Sequence, residues 1–129
     1  MNNFIQIIGR LTKDVELRYT NSNKAVAEFN LAVDRPHKNQ NGDYETDFIP
    51  VVLWGKTAET LKQYSKKGDL IGIAGRLQID RYTTSKGENR YKTYINGSNM
   101  IFLKQSKEDK DKIHKSFERN IEDDVKLPF

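Results

Sequence analysis

Two large aromatic side chains lie on the stretch from Asp47 to Lys56 at a spacing that suits the stacking of planar groups. Phe48 and Trp54 are six residues apart, and the β-branched residues between them favour a strand. Side chains on a strand alternate between its two faces, so both rings are predicted on one face. They would be about 20 Å apart at a rise of ~3.3 Å per residue. Such rings can hold separate groups along a path but cannot clasp a single one.

Further rings and many positive charges are interleaved with this stretch. Tyr82 follows Arg81 on an otherwise polar strand face, which favours a functional role, and Tyr91 lies on the next strand. The cations lie along the same strands and loops: Arg10, Lys13, Arg18, Arg35, Lys38, Lys56, Arg76, Arg81 and Arg90. A positive groove with aromatic faces is what the binding of single-stranded nucleic acid requires, independent of base identity. The ordinary alternatives are core packing for a ring and solvent exposure for a cation.

The charge balance is compatible with a polyanionic partner. Of the 129 residues, 22 are Lys or Arg and 18 are Asp or Glu, which gives a net charge of +4. Through Lys104 these counts are 16 and 11, whereas the last 25 residues hold 6 and 7. A basic body with a slightly acidic end suggests a polyanion for the body and another role for the end, although a solvated surface explains the charge equally well.

Patterns for catalysis and metal binding are missing from residues 1–104. The chain has no cysteine, and its two histidines, His37 and His114, are isolated from each other. The acids of the body lie singly, without the paired carboxylates of a metal-dependent nuclease, and no phosphate-binding glycine loop is present. We therefore expect no enzyme, no cofactor and no metal ion. No apolar run approaches the ~18 residues of a membrane span, so a cytoplasmic protein is expected.

The apolar pattern predicts five strands and one helix. The strands are residues 3–11, with 15–20 as a possible continuation, 25–35, 46–54, 70–83 and 90–102. The predicted helix is capped by Thr57 and terminated by Gly68, and Pro36 is expected to end the second strand.

Alternation along these strands predicts which side chains share a face. Phe29 lies on the clean apolar face of the second strand and is assigned to the core. Leu77 and Ile79 fall on one face with the other isoleucines of the fourth strand, and Ile101 falls on one face with Ile95 in the fifth.

This element order is that of an all-β OB-fold, a five-stranded Greek-key barrel with one short helix between strands 3 and 4. A generic five-stranded barrel or roll is the alternative from element order alone. Residues 1–104 would form the OB-fold domain. The apolar pattern stops after Lys104, so we expect a disordered C-terminal tail, with residues 105–121 as a charged flexible linker and 122–129 as an acidic tip.

Several motifs resemble those of bacterial and phage single-stranded DNA-binding proteins. They are Ile8-Gly9-Arg10-Leu11-Thr12-Lys13-Asp14, Glu16-Leu17-Arg18-Tyr19-Thr20, Leu31-Ala32-Val33-Asp34-Arg35-Pro36, Asp47-Phe48-Ile49, Leu53-Trp54-Gly55-Lys56-Thr57-Ala58-Glu59, Tyr64-Ser65-Lys66-Lys67-Gly68 and Gly75-Arg76-Leu77-Gln78. The resemblance covers residues 1–104. It implies a nucleoid-associated homotetramer that binds and protects single-stranded DNA during replication, recombination and repair, and recruits partner proteins through its C-terminal tip.

The resemblance also assigns roles to individual residues. Phe48, Trp54 and Tyr82 match base-stacking rings, and His37 stands where a further stacking ring usually lies. The partner-binding residues of the tip would be Glu122, Asp123, Asp124, Leu127, Pro128 and Phe129. Lys126 departs from the usual tip because it removes negative charge. Two alternatives remain from the residues themselves: an RNA-binding OB-fold module, and a nuclease or assembly subunit that uses the barrel as a scaffold.

Overall fold

The strands form one sheet that closes on itself. The computed structural model describes residues 1–104. Its elements are β1 (Ile5–Leu11), β2 (Leu17–Tyr19), β3 (Ala25–Lys38), β4 (Tyr44–Trp54), α1 (Gly55–Tyr64), β5 (Leu70–Thr83) and β6 (Asn89–Lys104). The strand order is β1-β5-β6-β4-β3-β2, and an additional pairing of β1 with β3 closes the barrel.

The predicted fold is confirmed. Strands β1 and β3 to β6 are the five predicted strands, and α1 lies between β4 and β5, as in an OB-fold. The short strand β2 is the segment that the pattern offered as a continuation of the first strand. The predicted linker and acidic tip, residues 105–129, lie outside the described residues.

Alternating side chains of the strands fill the barrel. Leu31 of β3, Leu53 of β4 and Ile73 of β5 are fully buried, and Leu61 of α1 joins the same cluster. Phe29 is also part of this core, as predicted. Because the odd-numbered residues of β3 and β4 point inward, the even-numbered ones point outward. This alternation fixes the directions of Phe29, Phe48 and Trp54, which lie in the regular part of the β3–β4 ladder.

The predicted boundaries of the helix and of the second strand are wrong. The helix ends at Tyr64 and is followed by an extended Ser65, instead of running to Gly68. The helix begins at Gly55 instead of after Thr57, and the φ of +63° at Gly55 turns the chain directly from β4 into the helix. Strand β3 continues through Pro36 to Lys38, because the register with β4 shifts between Asp34 and Lys38. A proline lacks the N–H that a regular ladder needs, so it is tolerated at such an irregularity.

A bulge in β6 reverses the predicted direction of Ile101. Gly75 pairs with Gly97 while Ala74 pairs with Asn99, so Ser98 is an extra residue in β6. Beyond this bulge Phe102 packs against the core, and Ile101 is 48% exposed. One inserted residue exchanges the two faces of a strand.

Strands β5 and β6 extend beyond the barrel as a two-stranded arm, formed by residues 76–83 and 89–94. Strand β1 pairs with β5 only as far as Gly75. Leu77 and Ile79 continue the face of the buried Ile73, yet they are exposed because the arm has left the core. At the base of the arm, Asn3 accepts a hydrogen bond from the Leu77 N–H and donates one to the Leu77 carbonyl, at 3.0 and 2.9 Å.

Candidate nucleic-acid interface

Phe48 and Trp54 lie on the same outward face of β4, as the spacing predicted. Phe48 is opposite Ala32 of β3 and is 63% exposed. Trp54 is opposite Val26 and is partly buried. The Lys24 Nζ lies 5.2 Å from the centre of the Trp54 ring, within the range of a cation–π contact. The Phe48 ring is therefore largely open to solvent, whereas the Trp54 ring packs against the sheet and has the Lys24 ammonium beside it.

Tyr82 and Tyr91 lie on opposite faces of the arm. Tyr82 pairs with Arg90 in the β5–β6 ladder, and the next pair is Arg81 with Tyr91. Successive residues point to opposite sides of a sheet. Both tyrosines are at least half exposed. The Arg81 guanidinium carbon lies 5.6 Å from the centre of the Tyr91 ring, so these two side chains form a pair of their own.

The face that carries Tyr82 is continuous with that of Trp54 through Tyr94. Tyr82 pairs with Arg90 of β6, and Tyr94 is four positions further along the same strand. Residues an even number of positions apart share a face of a strand, so Tyr94 points to the same side as Arg90 and Tyr82. Tyr94 is buried in a small cluster with Val26 and Val52, against which Trp54 packs. The structure therefore brings Phe48, Trp54 and Tyr82 onto one surface and leaves Tyr91 on the other side.

A chain of hydrogen bonds fixes Tyr94 beneath this surface. The Tyr94 hydroxyl donates to Asp80 Oδ2 at 2.8 Å, and Gln78 donates to Asp80 Oδ1 at 2.9 Å. Asn96 in turn donates to Gln78 at 3.0 Å. The bonds from Gln78 and Tyr94 lower the pKa of Asp80. Burial, and then the bond to Asp80, raise the pKa of Tyr94, so the carboxylate and the neutral phenol stabilise each other.

Three of the predicted phosphate-binding arginines have carboxylate partners. Arg35 lies between two acids, with Glu45 at 2.7 Å and Asp47 at 3.1 Å. The hydrogen bond between Arg35 and Asp47 is the main cause of a raised pKa for Arg35 and a lowered pKa for Asp47. Arg18 and Arg90 are bound to single glutamates, at 2.8 and 2.9 Å. The positive charge of these arginines is partly compensated within the chain.

The remaining predicted cations are distributed around the barrel. Arg10 donates to the Gly68 carbonyl at 3.1 Å, on the side of β1 and β5. The Lys38 Nζ lies 5.7 Å from the centre of the Tyr44 ring, near the tip of the β3–β4 hairpin. Lys13 lines a groove between β3, β4 and β6. Arg76 lies at the base of the arm, and Lys56 is exposed at the start of α1.

The predicted ring at His37 is exposed in the irregular part of β3. Nearby Tyr44, also exposed, is a ring that the sequence prediction did not include. Lys24 and Lys92 were missed as well, although both lie close to aromatic rings of this surface. The sequence did carry a signal for Lys92, since it lies two positions from Tyr94 and therefore on the same face of β6. Lys24 had none, because its contact with Trp54 arises from the pairing of β3 with β4.

Two other kinds of feature are absent from the described part of the chain. Residues 1–104 do not bring three or more His, Asp or Glu side chains together in a group that could hold a metal ion. Within the same range, no helix is long and apolar enough to cross a membrane. The six predicted residues of the acidic tip lie outside the described range.

Comparisons with known proteins agree on one family. The sequence pattern of the single-strand binding protein family matches residues 1–103. A single-stranded DNA-binding protein of Streptococcus mutans is 48% identical over 103 residues, which are 80% of this chain and 63% of that protein. Single-stranded DNA-binding protein 3 of Streptococcus agalactiae is 50% identical, over 80% of this chain and 75% of its own. Single-stranded DNA-binding protein 1 of Streptococcus pyogenes is 49% identical, over 81% of each chain.

Proposed function

Because this chain belongs to the single-strand binding protein family, we propose that it binds single-stranded DNA without reading base sequence and without catalysing a reaction. The observation that carries this proposal is the shared surface of Phe48, Trp54 and Tyr82. Three rings on a rigid sheet offer stacking to any base, and such stacking is worth about 1–3 kcal/mol per base.

Phosphate contacts would come from the cations around these rings. Lys13, Lys56 and Arg76 have no carboxylate partner within the described residues and are proposed as direct phosphate contacts. Arg18, Arg35 and Arg90 would have to leave or share their carboxylates first. Arg81 and Tyr91 would contact the DNA only if it wraps around the arm. His37 and Lys38 would contact DNA that passes the end of the β3–β4 hairpin.

Titration with oligo-dT tests this function. Binding should quench Trp54 fluorescence, and the logarithm of affinity should fall with the logarithm of salt concentration by about 0.7 per phosphate contact. Duplex DNA and a matched RNA strand serve as competitors. Equal affinity for duplex DNA would refute single-strand binding, and stronger competition by RNA would favour an RNA-binding module. Strand cleavage with added metal would instead support a nuclease.

We also propose assembly into a homotetramer, and the outer surface of β1 supports this proposal. Among the described residues, β1 pairs with β3 only at Arg10 and Leu11, so its edge from Ile5 to Ile8 has no second neighbour. Ile8 and Ile101 are exposed on either side of Gly72. A free edge beside apolar side chains suits pairing with another copy. Ile8→Lys should lower the mass in solution, whereas Ile79→Lys, on the exposed arm, should leave it unchanged.

The acidic tip is proposed to recruit replication, recombination and repair proteins. A terminal apolar ring next to acids suits a partner with an apolar pocket and a basic rim. Deletion of Leu127–Phe129 should preserve DNA affinity and abolish the capture of such proteins. Substitution Lys126→Ala, which keeps the terminal ring, should preserve capture. Unchanged capture after the deletion would refute this role.

A further inference from the structure

A chain of three charged side chains crosses the surface between the two rings of β4. The Arg18 Nη2 lies 2.8 Å from Glu28 Oε1, and the Lys92 Nζ lies 3.8 Å from the same oxygen. Arg18 belongs to β2, Glu28 to β3 and Lys92 to β6. Strand β4 lies between β3 and β6, so Lys92 reaches across it. We call this arrangement of Arg18, Glu28 and Lys92 the charge bridge.

The charge bridge lies on the line from Phe48 to Trp54. Glu28 is directly opposite Val52 of β4, which is an outward-facing residue between the two rings. Val52 is two positions from Trp54 and four from Phe48. A nucleic-acid strand that uses both rings therefore has to pass over the charge bridge.

The groove at this point has a lining that suits an anion, apart from the carboxylate of Glu28. Lys13, Lys92 and the buried Tyr94 line it together with Glu28. A second depression beside it is lined by Lys13, Arg18 and Glu28. Glu16 also lines the second depression. Glu28 is the carboxylate that lines both, and it lies at the point where both cations meet. Phosphate and carboxylate carry charge of the same sign, so they compete for the same donors.

All three side chains can rearrange. The side chains of Arg18, Glu28 and Lys92 are 64%, 43% and 49% exposed. An ion pair at such exposure is weak and is screened by salt. An incoming phosphate can therefore take over both cations without the unfolding of any strand.

Resting on the proposed function, we propose that Glu28 is an internal competitor for the DNA phosphate. In the free protein it holds Arg18 and Lys92, and a phosphate replaces it when a strand passes between Phe48 and Trp54. Glu28 thereby lowers the affinity for single-stranded DNA and makes it less sensitive to salt. Glu28 neutralises part of the charge of Arg18 and Lys92 until a polyanion binds them.

The test compares Glu28→Gln with the full-length wild type in oligo-dT titrations over a series of salt concentrations. The variant should bind about 1.5- to fivefold tighter, the scale of one exposed ion pair. Its salt dependence should steepen by up to about 1.4, for two released phosphate contacts. Glu59→Gln is the matched control, because it removes the same charge from an exposed position of α1. Thermal unfolding checks that both variants fold like the wild type.

Lys92→Gln, made in both backgrounds, separates competition from a general charge effect. It should weaken binding little in the wild type and more in Glu28→Gln, where Lys92 is free. If Glu28→Gln behaves like Glu59→Gln, the competition does not exist. If Glu28→Gln binds more weakly than the wild type, Glu28 positions the cations and the proposal is wrong. Failure of the wild type to bind oligo-dT would refute the proposed function itself, so the two failures are distinguishable.

Discussion

Replacement of Phe48 by leucine should separate DNA affinity from stability. The Phe48 ring is 63% exposed, and its backbone is held by the pairing of β4 with β3. Leucine keeps an apolar side chain on the strand and removes little buried surface, so the free energy of unfolding should change by less than about 0.5 kcal/mol. Loss of one stacked base should cost about 1–3 kcal/mol. That cost corresponds to a dissociation constant about 5- to 150-fold larger.

The assay is the fluorescence anisotropy of a labelled oligo-dT, which does not depend on Trp54 emission, together with urea unfolding. Phe29→Leu is the matched control, because Phe29 lies in the core with only 5% exposure. It should lose about 1 kcal/mol or more of unfolding free energy and keep its DNA affinity within about twofold. Wild-type affinity in Phe48→Leu would refute stacking on this ring. Equal weakening in both variants would show that the effect is structural.

Three further predictions concern packing, pH and salt. Gly97→Ala should lose about 1–3 kcal/mol of unfolding free energy in urea, because its new Cβ would overlap Leu53. The lowered pKa of Asp80 means that its stabilising effect is present above the unfolded pKa of ~3.9 and is lost as the pH falls toward the folded pKa. When the pH is lowered from about 7 to about 3, the unfolding free energy measured in urea should therefore fall less for Asp80→Asn than for the wild type. If all nine predicted cations met phosphates, the salt slope per protein chain would be about −6. Since three of the arginines are bound to carboxylates, salt titration should give a slope nearer about −4.

Sequence alternation predicted side-chain direction correctly wherever the strands are regular. Phe29 lies in the core, and Phe48 and Trp54 share an outer face, because the β3–β4 ladder runs in one register from Val26 to Asp34. The prediction for Ile101 is wrong because one extra residue in β6 reverses the alternation. Gly97, next to the extra residue Ser98, is a sequence signal for that bulge, because a glycine inside a strand often marks one; strict alternation did not take it into account.

Burial and charge pairing depend on which strands meet, and the sequence carries little of this information. Leu77 and Ile79 look like core residues, but they are exposed because β1 does not accompany β5 beyond Gly75. Arg35 looks like a free cation, yet the hairpin register brings Glu45 and Asp47 to it. A list of arginines therefore overstates the positive charge that a polyanion would meet.

This pairing changes the expected balance of forces on the ring-bearing surface. Stacking on Phe48 requires no rearrangement, because the ring is already exposed on a rigid strand. A phosphate contact with Arg18 requires the displacement of Glu28, which costs part of the energy that the contact supplies. Base stacking should therefore contribute a larger share of affinity than the net charge of the chain suggests. DNA binding would then persist at salt concentrations at which purely electrostatic contacts are lost.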